Sequence, residues 1–442
     1  MGFSRDNVTW AGVQGAAPPG PTEKNVIDRI GVYLGAAATT LFVIVLAAYL
    51  YRYFAGAHGR DLIGIPPERA RRADFRRVLL LVGAAFLASR LLMLAGGLFW
   101  AWRSGDFAAY VRDLESHWTR WDADHYVGLI RNWYVNKGDP RYHIVFFPLY
   151  PALGRLLHLA TGLSATASAY AVSNLAFLGC GIAMYRLGEL SYGPKGGARA
   201  ALLLMFSPLT LFCSVPYTES VFLLTTLLAV YFARRRMFVL AILCGALSAN
   251  ARMLGMATAV PIFYELLRAS KGGLFRRYAL SVLRVLPVSA GLLAYLWLNY
   301  AVTGDPFRFM TYQSEHWGQN FGNLFNTVRY STRYAADFDP ASYRVGVWIP
   351  QLIAIFGTLG ILIAAVRRLH PGDAGYAVIY FYAAVAPTWL LSGPRYLTAL
   401  YAVYPALAVL FRGKWAFRAL LGCAAALCAV AGAMYSCLGW IL

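Results

Sequence analysis

Long apolar runs dominate the chain, and short clusters of arginine separate them. A helix needs about twenty apolar residues to cross a bilayer. Residues 31–54, 78–102, 167–187, 281–301, 346–366 and 415–437 meet that length. The runs at 219–233, 238–250, 253–267, 376–391 and 397–411 are shorter and suit spans sheltered by neighbouring helices. The pattern predicts an all-α polytopic membrane protein with about twelve transmembrane helices. Residues 146–163 are long enough to span, but Arg155, His158 and several prolines and glycines make them a poor lipid-facing helix. That segment is expected to lie in, or dip into, the outer leaflet.

The arginine clusters orient these runs. Arg69, Arg71, Arg72, Arg76 and Arg77 form the densest block, followed by Arg234–Arg236, residues 268–284, Arg367–Arg368 and residues 412–418. All read as cytoplasmic by the excess of basic residues in inside loops. Two long stretches then lie outside, 103–163 and 301–345, the first carrying juxtamembrane helices. The expected organisation is a mobile tail at 1–30, an extra helix with its basic loop at 31–77, and a catalytic membrane domain at 78–442. Arg90 falls inside a span, where a charge needs a polar partner. No solenoid-length repeat is visible, and the halves lack the matched broken helices of an inverted-repeat transporter.

Composition agrees with lipid as the solvent. Of 442 residues, 59% are hydrophobic and 14% charged, whereas soluble chains carry about a quarter charged. The net charge of +20 sits in the loop blocks, which encodes topology and gives no reason to expect nucleic acid as a partner. The six cysteines lie in apolar runs without a CxxC pair and read as small buried hydrophobes. The first thirty residues lack the basic and apolar regions of a signal peptide.

Chemistry gathers on the outer face. Trp121-Asp122-Ala123-Asp124-His125-Tyr126 brings carboxylates, an imidazole and aromatics to the membrane boundary. Three residues apart, Asp122 and His125 share a helix face, while Asp124 turns about 160° away toward Arg120, four residues back. Asp122 is therefore the catalytic candidate and Asp124 the structural one, although Asp122 would also serve as an N-cap. Glu219 opens a span, where it suits the helix dipole, and it shares the outer face with Arg252 and Arg395. Those arginines read either as snorkelling or as contacts for an anionic lipid-linked substrate. Lys137, His143 and His316 show no metal spacing, and Gly193, Gly196 and Gly197 lack the phosphate-loop pattern.

The motifs, taken in order, resemble a known family. They are Trp121-Asp122-x-x-His125-Tyr126, Phe146-Phe147-Pro148-Leu149-Tyr150-Pro151, Ser207-Pro208, Tyr217-Thr218-Glu219-Ser220, Ala251-Arg252-x-x-Gly255, Gly304-Asp305-Pro306 with Gln313 and Trp317, and Pro394-Arg395-Tyr396. This order resembles the PIG-V family, the second mannosyltransferase of glycolipid-anchor assembly and its prokaryotic relatives, from about residue 78 to 410. The resemblance implies a GT-C membrane glycosyltransferase fold. It also implies inverting transfer of a hexose, usually mannose, from a polyprenyl-phosphate carrier such as dolichyl-phosphate-mannose to a hydroxyl of a lipid or glycan acceptor.

By the same resemblance the Trp-Asp motif falls on Trp121 and Asp122, and the Tyr-Thr-Glu-Ser and arginine motifs on Tyr217, Glu219, Arg252 and Arg395. The chemistry of the residues makes Asp122 the base, with His125 bonded to it or to an acceptor oxygen, and the second group the donor-phosphate site. Trp121, Tyr126, Asp124, Gln313, His316 and Trp317 would line the acceptor cleft. No step demands a cofactor, though Asp122, Asp124 and Glu219 could recruit a divalent cation. The helix at 31–54 departs from the family layout and suggests an anchor or a surface for a partner subunit. The expected setting is a membrane, bacterial plasma membrane rather than endoplasmic reticulum, with the site on the external face. A lipid or sugar transporter, and a membrane acyltransferase using His125 as base, are the competing readings.

Overall fold

The structure, a computed structural model, describes residues 26–59, 73–338 and 341–438. Most of the expected N-terminal tail and the centre of the first basic block, including Arg69, Arg71 and Arg72, lie outside the described residues. The protein is all-α among the described residues, as the apolar runs predict. Six helices are long and apolar enough to cross a membrane, or seven if one bent pair is a single span. The other expected spans fall on shorter helices that share the same bundle.

In the first helix, α1 (Val26–Ala57), Asp28 lies ahead of the apolar run and is held by Arg329, at 2.8 and 2.9 Å. Next, α2 (Phe75–Arg103) crosses beside the last long helix. At that crossing a Cβ on Gly96 would lie 1.8 Å from the Ala429 carbonyl, so only glycine permits the approach. Arg90 on α2 finds polar partners for both of its terminal nitrogens, while its Nε has none among the described residues. It donates to the Thr210 carbonyl (2.9 Å), Thr210 Oγ1 (3.2 Å) and Ser214 Oγ, and its guanidinium lies 4.7 Å from the Phe177 ring.

The first long polar stretch, 103–163, folds into short helices. Its centre is α3 (Asp122–Asn132), and the following Asp139–Val145 and Leu149–Thr161 meet at 116°, in keeping with a segment that bends rather than crosses straight. The long helix Ala165–Met205 hides a reversal at Gly193 (φ 73°) followed by Pro194. A Cβ on Gly197 would lie 2.4 Å from the Tyr185 carbonyl, although twelve residues of straight helix would separate them by about 18 Å. The chain must therefore double back there, and the glycines that lacked a phosphate-loop pattern are a hairpin turn.

Four further helices follow: α4 (Glu219–Arg234), α5 (Phe238–Ala251), α6 (Ala259–Ala269) and, after the candidate span Leu274–Thr303, α7 (Leu324–Ala336) in the second long polar stretch. The bundle closes with Arg344–Ala365, α8 (Pro371–Val385), the short Gly393–Thr398 and α9 (Lys414–Cys437). The extra helix α1 is bound into this body rather than lying apart, packing on α7, α8 and α6.

Candidate active site

The chain turns sharply into α3. Trp121 stands at φ 54°, ψ −124°, a strained conformation for a bulky aromatic that costs of order 1–3 kcal/mol. Its ring packs edge-on against Tyr435 at 5.1 Å. Asp122 begins the helix but makes no capping bond; its Oδ2 accepts from Arg395 at 2.9 Å instead.

Glu219 opens α4 and is almost fully buried. Thr218 Oγ1 donates to the Ala251 carbonyl (3.2 Å), which fixes the start of α4 to the end of α5. There Arg252 leaves α5 in an extended conformation, and the next turn presses back on the helix just left. A Cβ on Gly255 would lie 2.1 Å from the Ser248 carbonyl, which explains the glycine three residues after the arginine. Arg252 Nη1 then donates to Glu219 Oε1 at 2.5 Å, and Arg395 Nε lies 3.3 Å from the same oxygen.

The result is one alternating row, Arg252, Glu219, Arg395, Asp122, built from four distant parts of the sequence. Two positive and two negative groups cancel, so the row tolerates dehydration that a lone charge would not. Burial opposes the charge on Arg395, but Glu219 and Asp122 outweigh it and hold the guanidinium protonated well above its ordinary range. Aromatic faces complete the lining. Arg252 lies 4.7 Å and Arg395 5.2 Å from the Tyr396 ring, and Arg395 lies 5.1 Å from that of Tyr217. Glu219 Oε2 has no hydrogen-bond partner among the described residues.

Arg395 depends on its neighbours for position. The preceding loop is strained at Trp389 (φ 52°), whose ring packs on Trp348 and Tyr334. The Leu390 N–H donates to Tyr330 Oη at 2.8 Å, and the Thr388 N–H to the Asn320 carbonyl at 2.9 Å. The two long polar stretches and the loop before Arg395 therefore meet at one place.

They enclose a cavity of about 750 Å³. Asp122, Tyr126, Tyr217, Glu219, Arg252, Gln313, Trp317 and Arg395 line it, all residues that the sequence singles out. Of the other four candidates, three stand beside it and one points away. The Trp121 ring backs onto Tyr435, and His316 stacks on Tyr142 at 4.3 Å. His125 faces His143 (4.6 Å) and Phe146 (5.4 Å). Asp124 is exposed, away from the cleft its assignment implies, and Arg120 precedes the helix and meets His117 at 3.0 Å. The four-residue spacing read as a helical ion pair fails because α3 starts only at Asp122.

Burial, with His125 nearby, lowers the His143 pKa to about 4, and burial also lowers that of His316. Among the described residues no three His, Cys, Asp or Glu side chains come together as a metal set. Tyr396, Gln319 and Asn320 also line the cavity and were not among the sequence candidates, although Tyr396 adjoins Arg395 in its motif.

The Mannosyltransferase (PIG-V) family pattern matches residues 90–313, a stretch that contains Asp122, Glu219 and Arg252, while Arg395 lies beyond it. No curated protein matches the chain. Among solved structures, the chain is similar to ArnT from Cupriavidus metallidurans in the apo state, with TM-score 0.44 and 14% identity over 70% of this chain and 59% of that one. It is also similar to the same protein bound to undecaprenyl phosphate, with TM-score 0.46 and 16% identity over 76% and 60%. The chain thus spans less than two thirds of the length of these structures. Because the family pattern covers half of the sequence and includes three of the four charged groups in the row, the chain belongs to the mannosyltransferase (PIG-V) family.

Proposed function

We propose that this integral membrane protein is an inverting glycosyltransferase of GT-C type. It would move a hexose, by family mannose, from a polyprenyl-phosphate donor to a hydroxyl of a lipid or glycan acceptor on the external face. The observation that carries this reading is the row Arg252, Glu219, Arg395, Asp122 along one cavity, with polar loops at one end and apolar helices at the other. A lipid-linked sugar phosphate is polar in the middle and apolar at one end, and its chemistry matches that order.

In this reading the acceptor oxygen attacks the anomeric carbon as the bond to the phosphate oxygen breaks, and configuration inverts. The leaving phosphate takes the bonding electrons and the acceptor proton passes to Asp122. Arg395 engages Oδ2, which leaves Oδ1 as the oxygen to receive that proton. A positioned base of this kind contributes about 10²–10⁴-fold. Arg252 and Arg395 receive the phosphate charge in a partly dehydrated site, where a preorganised donor supplies about 3–4 kcal/mol. Proton gain by Asp122 weakens its hold on Arg395 at the moment the phosphate becomes more negative, which couples the two halves of the step.

Glu219 holds both guanidinium groups in place, and Tyr126, Tyr217 and Tyr396 wall the sugar. Gln313 and Trp317, at the end near the external loops, suit the acceptor, and His125 backs that side through Phe146. The test is to give purified protein a polyprenyl-phosphate mannose and a panel of hydroxyl acceptors and to follow release of lipid phosphate. Acceptor-dependent release that disappears in Asp122→Asn is expected; release that is unchanged in that variant would remove the base assignment.

A further inference from the structure

The helix that lies outside the family pattern, α1, touches the cavity's apolar end from two sides. On one side Phe42 stacks on Tyr382 of α8, ring centroids 5.2 Å apart, and on Phe381 at 5.9 Å. On the other, Tyr53 Oη donates to the Val260 carbonyl of α6 at 2.6 Å. Both Tyr382 and Val260 line the cavity. Close packing joins the two contacts, since a Cβ on Gly375 of α8 would lie 2.7 Å from the Tyr53 ring and 3.1 Å from Val260.

The cavity changes character toward α1. Its charged row gives way to Met256, Val260, Ile379 and Tyr382. Ile379 lies six residues before the end of α8, about 9 Å along the helix from the loop that leads to Arg395, so this end of the cavity reaches below those loops. Ile379 and Tyr382 remain 44% and 39% exposed on a helix that is otherwise mostly buried. An apolar opening at that depth, with guanidinium groups at its inner end, fits an isoprenoid tail attached to a phosphate.

We propose that α1 is the fixed post of a lateral doorway for the donor's isoprenoid tail, and that Phe42 and Tyr53 set its width by fixing how α8 and α6 sit against each other. This rests on the transferase reading above. The occupant is the tail alone, because the phosphate and sugar are held by the charged row deeper in. Phe42 and Tyr53 are positioning residues: they act through Tyr382 and Val260 and make no contact with the reacting atoms.

The test compares two donors on the full chain in lipid nanodiscs: a long-chain polyprenyl-phosphate mannose and a short, water-soluble isoprenyl-phosphate mannose. Phe42→Ala and Tyr53→Phe should change KM for the long donor about fivefold or more while leaving kcat and the short-donor KM within about twofold. Equal changes for both donors, or none for either, would overturn the doorway. A wild-type protein that used neither donor would remove the transferase reading, and the doorway with it. Should Phe42→Ala fail to fold, a wild-type measurement decides the matter. A photoreactive group placed midway along the long tail should crosslink to α1 or to Tyr382 and its neighbours, and crosslinks confined to other helices would overturn the proposal.

Discussion

The helix α4 carries a buried ion pair at each end, and the two ends differ in everything but their charges. At its start, Glu219 meets Arg252 and Arg395 beside an open cavity. At its finish, about 24 Å away, Arg234 meets Asp373 and Ser191, and Tyr401 donates to Asp373 at 2.6 Å. Asp373 and Tyr401 are sealed, and none of that second group lines the cavity. Burial of opposite charges is therefore no mark of an active site by itself. The end proposed to be functional is distinguished by a guanidinium shared between two carboxylates and by an open cavity next to it.

This contrast can be broken by experiment. The largest effect is expected from Asp122→Asn, which should lower kcat by about 10²–10⁴-fold, with a smaller loss of stability than a sealed pair would suffer because Arg395 keeps Glu219. A variant that turned over within tenfold of wild type would make the two ends alike. Arg395→Ala should follow at about 10²–10³-fold in kcat/KM for the donor, with Arg395→Lys recovering part of it, because a lysine keeps the charge but not the fork that reaches both acids. Donor kinetics unaffected by Arg395→Ala would argue against phosphate contact.

The other end should show the reverse pattern. Asp373→Asn leaves Arg234 buried without its counter-charge and should cost about 3–5 kcal/mol of stability, seen as a lower denaturation midpoint, with kcat per folded molecule unchanged. Loss of turnover at full stability would show that the sealed pair takes part in chemistry.

The smallest effect concerns the histidines beside the cavity. His143 binds its proton less readily folded, at a pKa of about 4, than unfolded near 6.5. The unfolded chain therefore takes up more protons between these values. The contribution is fully present above about pH 6.5 and is lost as pH falls toward 4. His143→Gln should flatten the fall in thermal midpoint over that window; an identical slope would place the titration elsewhere.

Much of this was legible in the sequence, for reasons that differ by residue. The spans show because lipid demands twenty apolar residues in a row, and α2 and α9 follow their runs within a few positions. Asp122 and Glu219 show because carboxylates are conspicuous at the ends of apolar segments. Their partner Arg395 lies 273 residues from Asp122, and no local pattern encodes that meeting. The motif order suggested that these residues belong together; tertiary packing supplies the distances. Helix phase misled at Asp124, because Trp121 breaks the helix exactly where periodicity carries it backward to Arg120. The reach of α1 across to Tyr382 and Val260 was invisible, since Phe42 and Tyr53 look like ordinary lipid-facing aromatics in a hydrophobic run.

The π-helical turn near the end of α9 sets Tyr435 against Trp121 and Trp118, and Ser436 against Tyr110. The segment that presents Asp122 is thus braced by a helix remote from it in the sequence. The carboxylate's aim therefore depends on α9 staying seated, and a side chain that pushed α9 off α2 at Gly96 would turn Asp122 away without touching any charged group.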